Sequence, residues 1–265
     1  MVWLRHVQTQ TLCLRCATRE TRRRSTTPPT KANLMKFYYH PSPNPSKVAL
    51  FLEEFGLDYQ MVPVDTARGE QHGAAYRAIN PNGKTPALVD GDAVVFDSTA
   101  ILLYLAVKHG KFLPENTPEV RSRMYSWLMF IATGIGPFSG QAVHFRHFAP
   151  EPKAYALHRY DFEARRHWRI LDEHLATRTF MVNEEYTIVD MALWGWARAL
   201  PFMFGEQGWV DFPHVKRFLD RVNARPAAQR AEALKDAHTF KTEMDQEYLD
   251  AMYPHNADRA ATAAA

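Results

Sequence analysis

Cysteine is nearly absent from this chain of 265 residues, which holds two in all, Cys13 and Cys16, and none after residue 34. So few cysteines exclude a disulfide-stapled scaffold. Long apolar runs are missing too, since the stretches 100–107 and 127–131 fall far short of the ~20 residues that span a bilayer. With 46% hydrophobic and 23% charged residues, the composition is typical of a globular protein with one large domain or two smaller ones.

The body of the chain also lacks excess positive charge. Seven of the 32 basic residues, but only one acid, lie in residues 1–34, which leaves 25 basic and 28 acidic residues in the rest. A basic footprint for nucleic acid is therefore not expected on the body.

We interpret residues 1–34 as an unstructured leader, either a transit peptide or a start assigned too early before Met35, and exclude them from the fold. We expect a cytoplasmic location, and an organelle only if the leader is a transit peptide.

Cys13 and Cys16 form a CxxC motif inside that leader. Such a motif can be a redox pair or half of a zinc site. No second CxxC accompanies it and no strand–helix pattern frames it, so incidental cysteines are the favoured interpretation. Two histidines in a later helix, His144 and His147, are three residues apart but have no third ligand in view, and they are expected to line a cavity or a helix face. No metal site is predicted.

Residues 35–111 predict the order β-α-β-α-β-β-α, and residues 117–250 predict helices alone. The predicted strands cover 36–40, 59–64, 86–89 and 93–96, and the helices between them cover 44–55, 71–78 and 98–108. Later helices are predicted at 118–148, 155–176, 187–200, 212–222 and 227–234, with a capping box from Thr187 to Asp190. The expected fold class is an α/β domain followed by an all-helical one.

A turn at Ser42 and Asn44 precedes the first helix, where free backbone N–H groups and the helix dipole favour an anion. Because residues 35–265 hold no cysteine, any thiol chemistry here requires a thiol that arrives with a substrate. Ser42 and Asn44 could lower the pKa of that thiol by hydrogen bonding. The alternative is that Asn44 only caps the helix and Ser42 only fills the turn.

Two further motifs suit the same ligand. Thr85-Pro86 precedes a strand, and with a cis bond the Thr85 backbone could pair with a peptide backbone; the alternative is a plain turn proline. Ser98 could cap the next helix and hold a carboxylate while Asp97 holds an ammonium, or the pair could be an ordinary helix start. A short peptide with a thiol and an amino-acid head group fits all three motifs, and glutathione meets that description.

At this point the sequence resembles the glutathione S-transferase family over residues 35–230, most of all its bacterial nu class and fungal relatives. The matching stretches are SPN with KV at 42–48, INPNGKTPALVD at 79–90, FDSTAILLYLA at 96–106, GPFSGQAVHF at 136–145, HRYDFEARR at 158–166 and YTIVDMALWGWA at 186–197. The resemblance implies a thioredoxin-like N-terminal domain, a helical C-terminal domain and a homodimer. It also implies contacts to glutathione from the side chains or backbone of Ser42, Asn44, Gln71, Lys84, Thr85, Pro86, Asp97, Ser98 and Arg159.

The nu class is associated with disulfide reduction by two glutathiones, with organic-peroxide reduction and with modest conjugation. The resemblance therefore implies that Asn44 and Ser42 stabilise a glutathione thiolate, which attacks a small disulfide, peroxide or electrophile. Two departures stand out: Pro45 replaces the usual glycine and removes a backbone donor, and Asp97 replaces glutamate. The alternatives are a non-catalytic binding module on the same fold and a redox enzyme that uses Cys13 and Cys16.

Overall fold

The computed structural model describes residues 34–256. Its sheet is built on β1 (Met35–Tyr39), in which buried Met35, Phe37 and Tyr39 alternate with the less buried Lys36 and Tyr38. This period of two places one row of side chains in the core. Cys13 and Cys16, with the predicted leader up to residue 33, lie outside the described residues.

Four strands form a mixed sheet in the order β2-β1-β3-β4. The elements that follow β1 are α1 (Pro43–Phe55), β2 (Tyr59–Pro63), α2 (Ala74–Arg77), β3 (Ala87–Asp90), β4 (Ala93–Phe96) and α3 (Ser98–His109). Strand β1 pairs parallel with β2 and antiparallel with β3, and β3 pairs antiparallel with β4. This confirms the predicted α/β fold class of the first part of the chain, with α1 as the crossover between the two parallel strands.

The second part is helical, as predicted. Its helices are α4 (Pro118–Phe130), α5 (Gly136–Val143), α6 (Ala154–Leu175), α7 (Ile188–Ala197), α8 (Leu200–Phe204), α9 (Gln207–Asp211), α10 (Pro213–Asn223), α11 (Pro226–Ala233) and α12 (Gln246–Met252). The capping box at the start of α7 is present: Thr187 accepts from the Val189 N–H, and the Thr187 N–H donates to Asp190 at 2.8 Å. No helix within residues 34–256 is both long and apolar enough to cross a membrane.

The predicted helix at 118–148 is interrupted by two π-helical segments, Ile131–Ile135 and His144–Phe148. The first coincides with a close approach, because a Cβ at Gly134 would lie 2.6 Å from the His167 ring of α6. Hydrophobic spacing does not reveal a local change from α to π winding, so the prediction had the right extent without this detail. The predicted helix at 187–200 likewise ends at Ala197, before α8 begins.

Helix α1 is buried between the sheet and the helical part. Its residues Val48 to Leu52 are fully buried, and they belong to one apolar cluster that includes Leu193 and Ala197 of α7. At Gly195 a Cβ would lie 2.4 Å from the Pro43 carbonyl oxygen and 2.5 Å from Lys47 Cγ. Only glycine therefore lets α7 approach the first turns of α1 this closely.

The C-terminal segment, residues 238–253, returns to the first part of the chain. Buried Phe240 packs on the rings of Tyr39 and His40, with centroids 6.2 and 5.3 Å away. The Lys241 N–H donates to Asp65 Oδ2 at 2.8 Å. Helix α12 then packs on the 3₁₀ turn Thr66–Arg68. No helix was predicted here, and the segment lies beside the turns that follow β1 and β2.

Candidate functional site

Two adjacent cavities open beside the first turn of α1. The α3 cavity, about 240 Å³, is lined by Asn44, Asn80, Asn82, Lys84, Thr85, Pro86, Phe96, Asp97 and Ser98. The α12 cavity, about 280 Å³, is lined by His40, Ser42, Thr66, Gln71, His72, Gly83, Lys84, Thr85, Tyr248, Met252 and Tyr253. Lys84 and Thr85 lie on the wall common to both. The folding of the chain thus brings together every predicted site residue except Arg159.

Asn44 is a helical residue and does not cap α1. The helix begins at Pro43, Ser42 is its N-cap residue without a side-chain cap, and Asn44 Oδ1 accepts from Trp196 Nε1 at 3.1 Å. The alternative that Asn44 only caps the helix is therefore wrong. Because an indole N–H can only donate, it fixes the carbonyl side of the amide and leaves the NH₂ group as the donor available to the α3 cavity.

Ser42 lines the α12 cavity, two residues from Asn44. Its backbone is fixed by the turn: the Ser42 N–H donates to the His40 carbonyl at 2.8 Å, and the Ser42 carbonyl accepts from Ser46 Oγ at 2.9 Å. Since the Ser42 side chain makes no cap bond, its hydroxyl remains a donor toward the cavity. Ser42 and Asn44 therefore face adjoining cavities at the N-terminus of one helix.

The peptide bond between Thr85 and Pro86 is cis, which confirms the prediction. The turn before it is held by two hydrogen bonds to the Lys84 carbonyl, from Tyr76 Oη at 2.8 Å and from Asn80 Nδ2 at 2.5 Å. Sheet pairing of β3 starts at Ala87, one residue after the proline. Thr85 therefore lies between both cavities and outside the strand ladder, where its backbone can meet a peptide.

The cap of α3 is Asp97 and not Ser98, which corrects the prediction. Asp97 adopts a φ of 72°, and its Oδ1 accepts from the N–H groups of Thr99 and Ala100 at 2.8 and 3.2 Å. Two first-turn donors are thus already engaged, and the cap uses only one oxygen of the carboxylate. Ser98 is buried, and its hydroxyl oxygen accepts a hydrogen bond from Lys47 Nζ at 3.3 Å.

Lys47 is a functional candidate that sequence reasoning missed. Its side chain is 1% exposed, and burial lowers the pKa of its ammonium to about 8, against the opposing charge of Asp97. Lysine is seldom fully buried in proteins without a partner. The signal in the sequence was a lysine three residues after Asn44 at the start of the apolar run VALFL. Only the structure shows that this lysine reaches Ser98, 51 residues later.

Gln71 is 4% exposed and lies beneath the C-terminal segment. Its Nε2 donates to the Ala251 carbonyl at 3.4 Å, and the neighbouring His72 Nε2 contacts the same oxygen at 3.1 Å. Gln71 Oε1 is buried without a hydrogen-bond partner among residues 34–256. His40 Nδ1, in the same cavity, is also buried without one, and burial lowers the pKa of His40 to about 4. These unpaired atoms suit a polar ligand in the α12 cavity.

Arg159 lies apart from both cavities. On α6 it forms an ion pair with Glu163 at 2.5 Å, and half of its side chain is exposed. Of the two histidines in the second π segment, His147 stacks on Phe202, whereas the ring of His144 lies 4.7 Å from that of Tyr253, which lines the α12 cavity. Residues 34–256 contain no cluster of three or more side chains arranged to hold a metal.

A larger cavity of about 510 Å³ lies elsewhere in the helical part, between α7 and helices α9 to α11. It contains none of the predicted site residues. Arg198 lines it, forms an ion pair with Glu232, and lies over the ring of Trp194 at 4.6 Å from its centroid. The predicted site residues other than Arg159 therefore line the two smaller cavities and not this one.

Family models match both parts of this architecture. Residues 41–108 match the N-terminal domain of glutathione S-transferases, and residues 135–226 match their C-terminal domain. The chain belongs to the glutathione S-transferase family. It is 38% identical over 205 residues to the Escherichia coli disulfide-bond oxidoreductase YfcG. The matched region covers 75% of this chain and 94% of YfcG.

Solved members of the family show the same fold. A glutathione transferase family member from Pseudomonas fluorescens with two glutathiones bound has a TM-score of 0.71 and 37% identity, over 76% of this chain and 92% of that one. A Pseudomonas putida glutathione transferase with one glutathione disulfide per subunit has a TM-score of 0.71 and 34% identity, over 76% and 91%. The resemblance in fold and family is thereby confirmed. The family match ends at residue 226, before the C-terminal segment that covers Gln71.

Proposed function

We propose that the protein is a glutathione-dependent transferase with disulfide-bond reductase activity, in which the nucleophile is the thiolate of bound glutathione. One observation carries this proposal: the Asn44 amide, held by Trp196, presents its NH₂ group at the N-terminus of α1 beside the two polar cavities. The chain itself has no cysteine in residues 35–265. The reactive sulfur is therefore that of the ligand.

We place the tripeptide across both cavities, within residues 35–111. Its γ-glutamyl end lies in the α3 cavity, with the carboxylate at Ser98 and the ammonium at Asp97. Its cysteinyl backbone pairs with Thr85 ahead of Pro86, and its glycyl end extends past Lys84 into the α12 cavity toward Gln71. This path uses the wall residues common to both cavities, and the glycyl amide N–H can donate to the unpaired oxygen of Gln71.

Asn44 and Ser42 supply the hydrogen bonds that ionise the thiol. A free thiol of pKa near ~8.5 is mostly protonated at neutral pH, and lowering that pKa by ~2 units requires about 2.7 kcal/mol from its surroundings. Hydrogen bonds to charged groups contribute ~1.5–3 kcal/mol each. One such bond from Asn44, aided by Ser42 and the dipole of α1, supplies this energy.

The thiolate then attacks one sulfur of a disulfide, forming a mixed disulfide with glutathione and releasing the other half as a thiolate. A second glutathione thiolate attacks the mixed disulfide, which yields glutathione disulfide and the second reduced thiol. With an organic peroxide, two glutathiones give glutathione disulfide, an alcohol and water. With an electrophilic carbon that carries a leaving group such as chloride, the sulfur forms a thioether and the leaving group departs as the anion; we expect this conjugation to be modest.

The relatives support the reductase assignment. YfcG is named a disulfide-bond oxidoreductase, and the Pseudomonas proteins hold two glutathiones or one glutathione disulfide. From the resemblance of its motifs we also propose that the chain belongs to the nu class and that it reduces organic peroxides. The second substrate enters against the aromatic wall formed by Tyr253 and His144, whose rings are 4.7 Å apart.

Consumption of reduced glutathione suits a reducing compartment, so we propose a cytoplasmic location.

We also propose a homodimer. Apolar side chains are exposed on β4, where Val94 and Phe96 are 51% and 44% accessible, and on α4, where Tyr125 and Met129 are 47% and 42% accessible. Exposed apolar residues on these two elements suit an interface between copies. Arg159 reaches neither cavity of its own chain. In the dimer, we propose that Arg159 of one chain contacts the glutathione bound by the other.

The test is glutathione-dependent turnover of three substrates: 2-hydroxyethyl disulfide, cumene hydroperoxide and 1-chloro-2,4-dinitrobenzene. We expect the disulfide to be turned over fastest. Asn44→Ala should lower kcat by about 10- to 100-fold, since loss of one preorganised donor typically costs that much or more. Its dissociation constant for glutathione should stay within about 3-fold, because the backbone and head-group contacts remain.

Asn116→Ala is the matched control, because Asn116 is exposed in the loop before α4. It should leave all three rates unchanged. If the unmutated protein binds glutathione but turns over none of the substrates, the protein is a binding module. If deletion of residues 1–34 abolishes turnover, the redox pair Cys13 and Cys16 is the centre instead.

A further inference from the structure

Lys47 is a buried cation that contacts no carboxylate among the described residues, and the negative charge of Asp97 acts on it from beyond ion-pair distance. It lies in the second turn of α1, its side chain is 1% exposed, and its Nζ donates to the neutral Ser98 hydroxyl at 3.3 Å. No carboxylate of the described part of the chain forms an ion pair with it. Buried charges in proteins are normally paired, because leaving water costs several kcal/mol per ion.

The position of this cation is fixed by packing. Helix α7 presses on the aliphatic stem of Lys47 through Gly195, where a Cβ would lie 2.5 Å from Lys47 Cγ. The stem therefore cannot swing toward α7, and the ammonium is held against the N-terminus of α3 by its bond to Ser98. Burial lowers the pKa of Lys47 to about 8, while Asp97 opposes this effect, so the group is still charged at neutral pH.

The N-terminus of α3 offers few donors of its own. Asp97 Oδ1 already accepts from the Thr99 and Ala100 N–H groups. Ser98 lines the α3 cavity, and because its oxygen accepts from Lys47, its own hydroxyl proton can be donated into the cavity. The hydrogen bond from Lys47 thus polarises the Ser98 hydroxyl, which makes it a stronger donor toward the α3 cavity.

We propose that Lys47 is a positioning residue for glutathione, whose ammonium acts through Ser98 to bind the α-carboxylate of the γ-glutamyl residue. This inference rests on the proposed function, since it concerns one end of the same ligand. The carboxylate brings a second negative charge to an ammonium on which Asp97 acts only from a distance. Lys47 does not touch the ligand, and its effect is transmitted by the polarised hydroxyl of Ser98.

Two glutathione analogues separate this role from a structural one. 4-Aminobutyryl-cysteinylglycine lacks the α-carboxylate but keeps the amine and the thiol, whereas glutaryl-cysteinylglycine keeps the carboxylate and lacks the amine. Dissociation constants are measured by calorimetry for glutathione and both analogues, with the unmutated protein, Lys47→Met and Lys47→Gln. Lys216→Met is the control, because Lys216 is a partly exposed lysine of α10 that is paired with Asp220 and lines neither site cavity.

We expect both Lys47 variants to weaken glutathione and the glutaryl analogue by about 10- to 100-fold, the range for a charge-assisted contact. The aminobutyryl analogue should change by less than about 3-fold, and Lys216→Met should change none of the three. Met is unbranched like Lys and removes an unpaired buried charge, so the free variant should melt at the same temperature or higher.

An equal loss of affinity for all three ligands would show that Lys47 only maintains the structure, and the inference would be wrong. Unchanged affinity for glutathione in either variant would overturn it too. These outcomes differ from failure of the proposed function, in which the unmutated protein itself would not bind glutathione and the inference would fall with it.

Discussion

The Asn44 amide is held from across the molecule, by an indole 152 residues further along the chain. Because Trp196 Nε1 can only donate, it selects one of the two amide orientations, and the selected one presents donors to the α3 cavity. Trp196 is therefore part of the core and also orients the proposed catalytic amide. A residue on the α7 side of the core is thus predicted to affect the chemistry that we propose at the N-terminus of α1.

Trp196→Phe removes this donor while keeping most of the packing. We expect kcat for disulfide reduction to fall by about 3- to 10-fold, since the amide can then rotate, with glutathione affinity nearly unchanged. The thiol pKa of bound glutathione, measured by thiolate absorbance, should rise in parallel.

Trp194→Phe is the matched control for this prediction. Trp194 lies on the same helix, and its indole N–H donates at 2.8 Å to Asn223, which lines neither of the two site cavities. It should lower the melting temperature and leave kcat and the thiol pKa unchanged below the transition. Equal kinetic effects of the two substitutions would contradict the orienting role of Trp196.

For individual residues, the sequence identified candidates that lie in local motifs and missed those whose role depends on tertiary contacts. Asn44, Thr85 and Asp97 follow from turn and capping patterns read within a few positions. Lys47 and Trp196 act on partners 51 and 152 residues away, a relation that no local pattern contains. The same limit applies to Asp97, which lines the α3 cavity and caps α3, whereas the prediction assigned the capping role to its neighbour Ser98.

At the scale of elements, the start of α7 combines full burial with a titratable group. Asp190 accepts hydrogen bonds from the Met181 N–H, the Thr187 N–H and Thr187 Oγ1, at 2.8 to 3.1 Å. Burial nevertheless raises the pKa of its carboxyl to about 7, against the effect of these donors. The folded protein thus binds this proton more tightly than the unfolded chain, where the pKa is near ~3.9.

This shift predicts a pH-dependent stability. Because the folded pKa is raised, the contribution of Asp190 is fully present below pH ~4 and is lost as the pH rises through about 7. Asp190→Asn removes the titration and lowers stability by ~1–3 kcal/mol, since its NH₂ group then faces donors. Between pH 4 and 7.5 the unmutated protein should lose free energy of unfolding relative to Asp190→Asn, as measured by urea denaturation. A difference that stays constant over this range would contradict the prediction.

The strands and long helices were predictable because period-two and period-3.6 patterns are strong over residues 35–234. Helix α12 was not, because the sequence from 238 to 256 is charged and has little apolar periodicity. Its position comes from single anchors such as Phe240, and from the Lys241 N–H bonded to Asp65. The π segments also escaped prediction, because they change the winding of a helix without changing which residues are apolar.

At the scale of the whole molecule, the proposed homodimer makes a simple prediction. The protein should sediment at about 61 kDa, twice the chain mass of 30.5 kDa. Tyr125→Glu and Met129→Glu place charges on the exposed face of α4 and should shift the protein to monomer at micromolar concentration. Val210→Glu is the control, because Val210 is 70% exposed on α9, away from that face. A monomeric unmutated protein at high concentration would contradict the dimer.

Gly195 has a consequence for how this chain can be recombined. Two family models match separate parts of the chain, with α1 in one part and α7 in the other. These two helices nevertheless pack so closely that Gly195, which faces Lys47, cannot carry a side chain. A chimera joined in the loop between α3 and α4 would therefore pack α1 of one protein on α7 of another, and the two surfaces would not be complementary. Successful grafts should be those that transfer α1 and α7 together, so the unit of exchange is this helix pair and not either half.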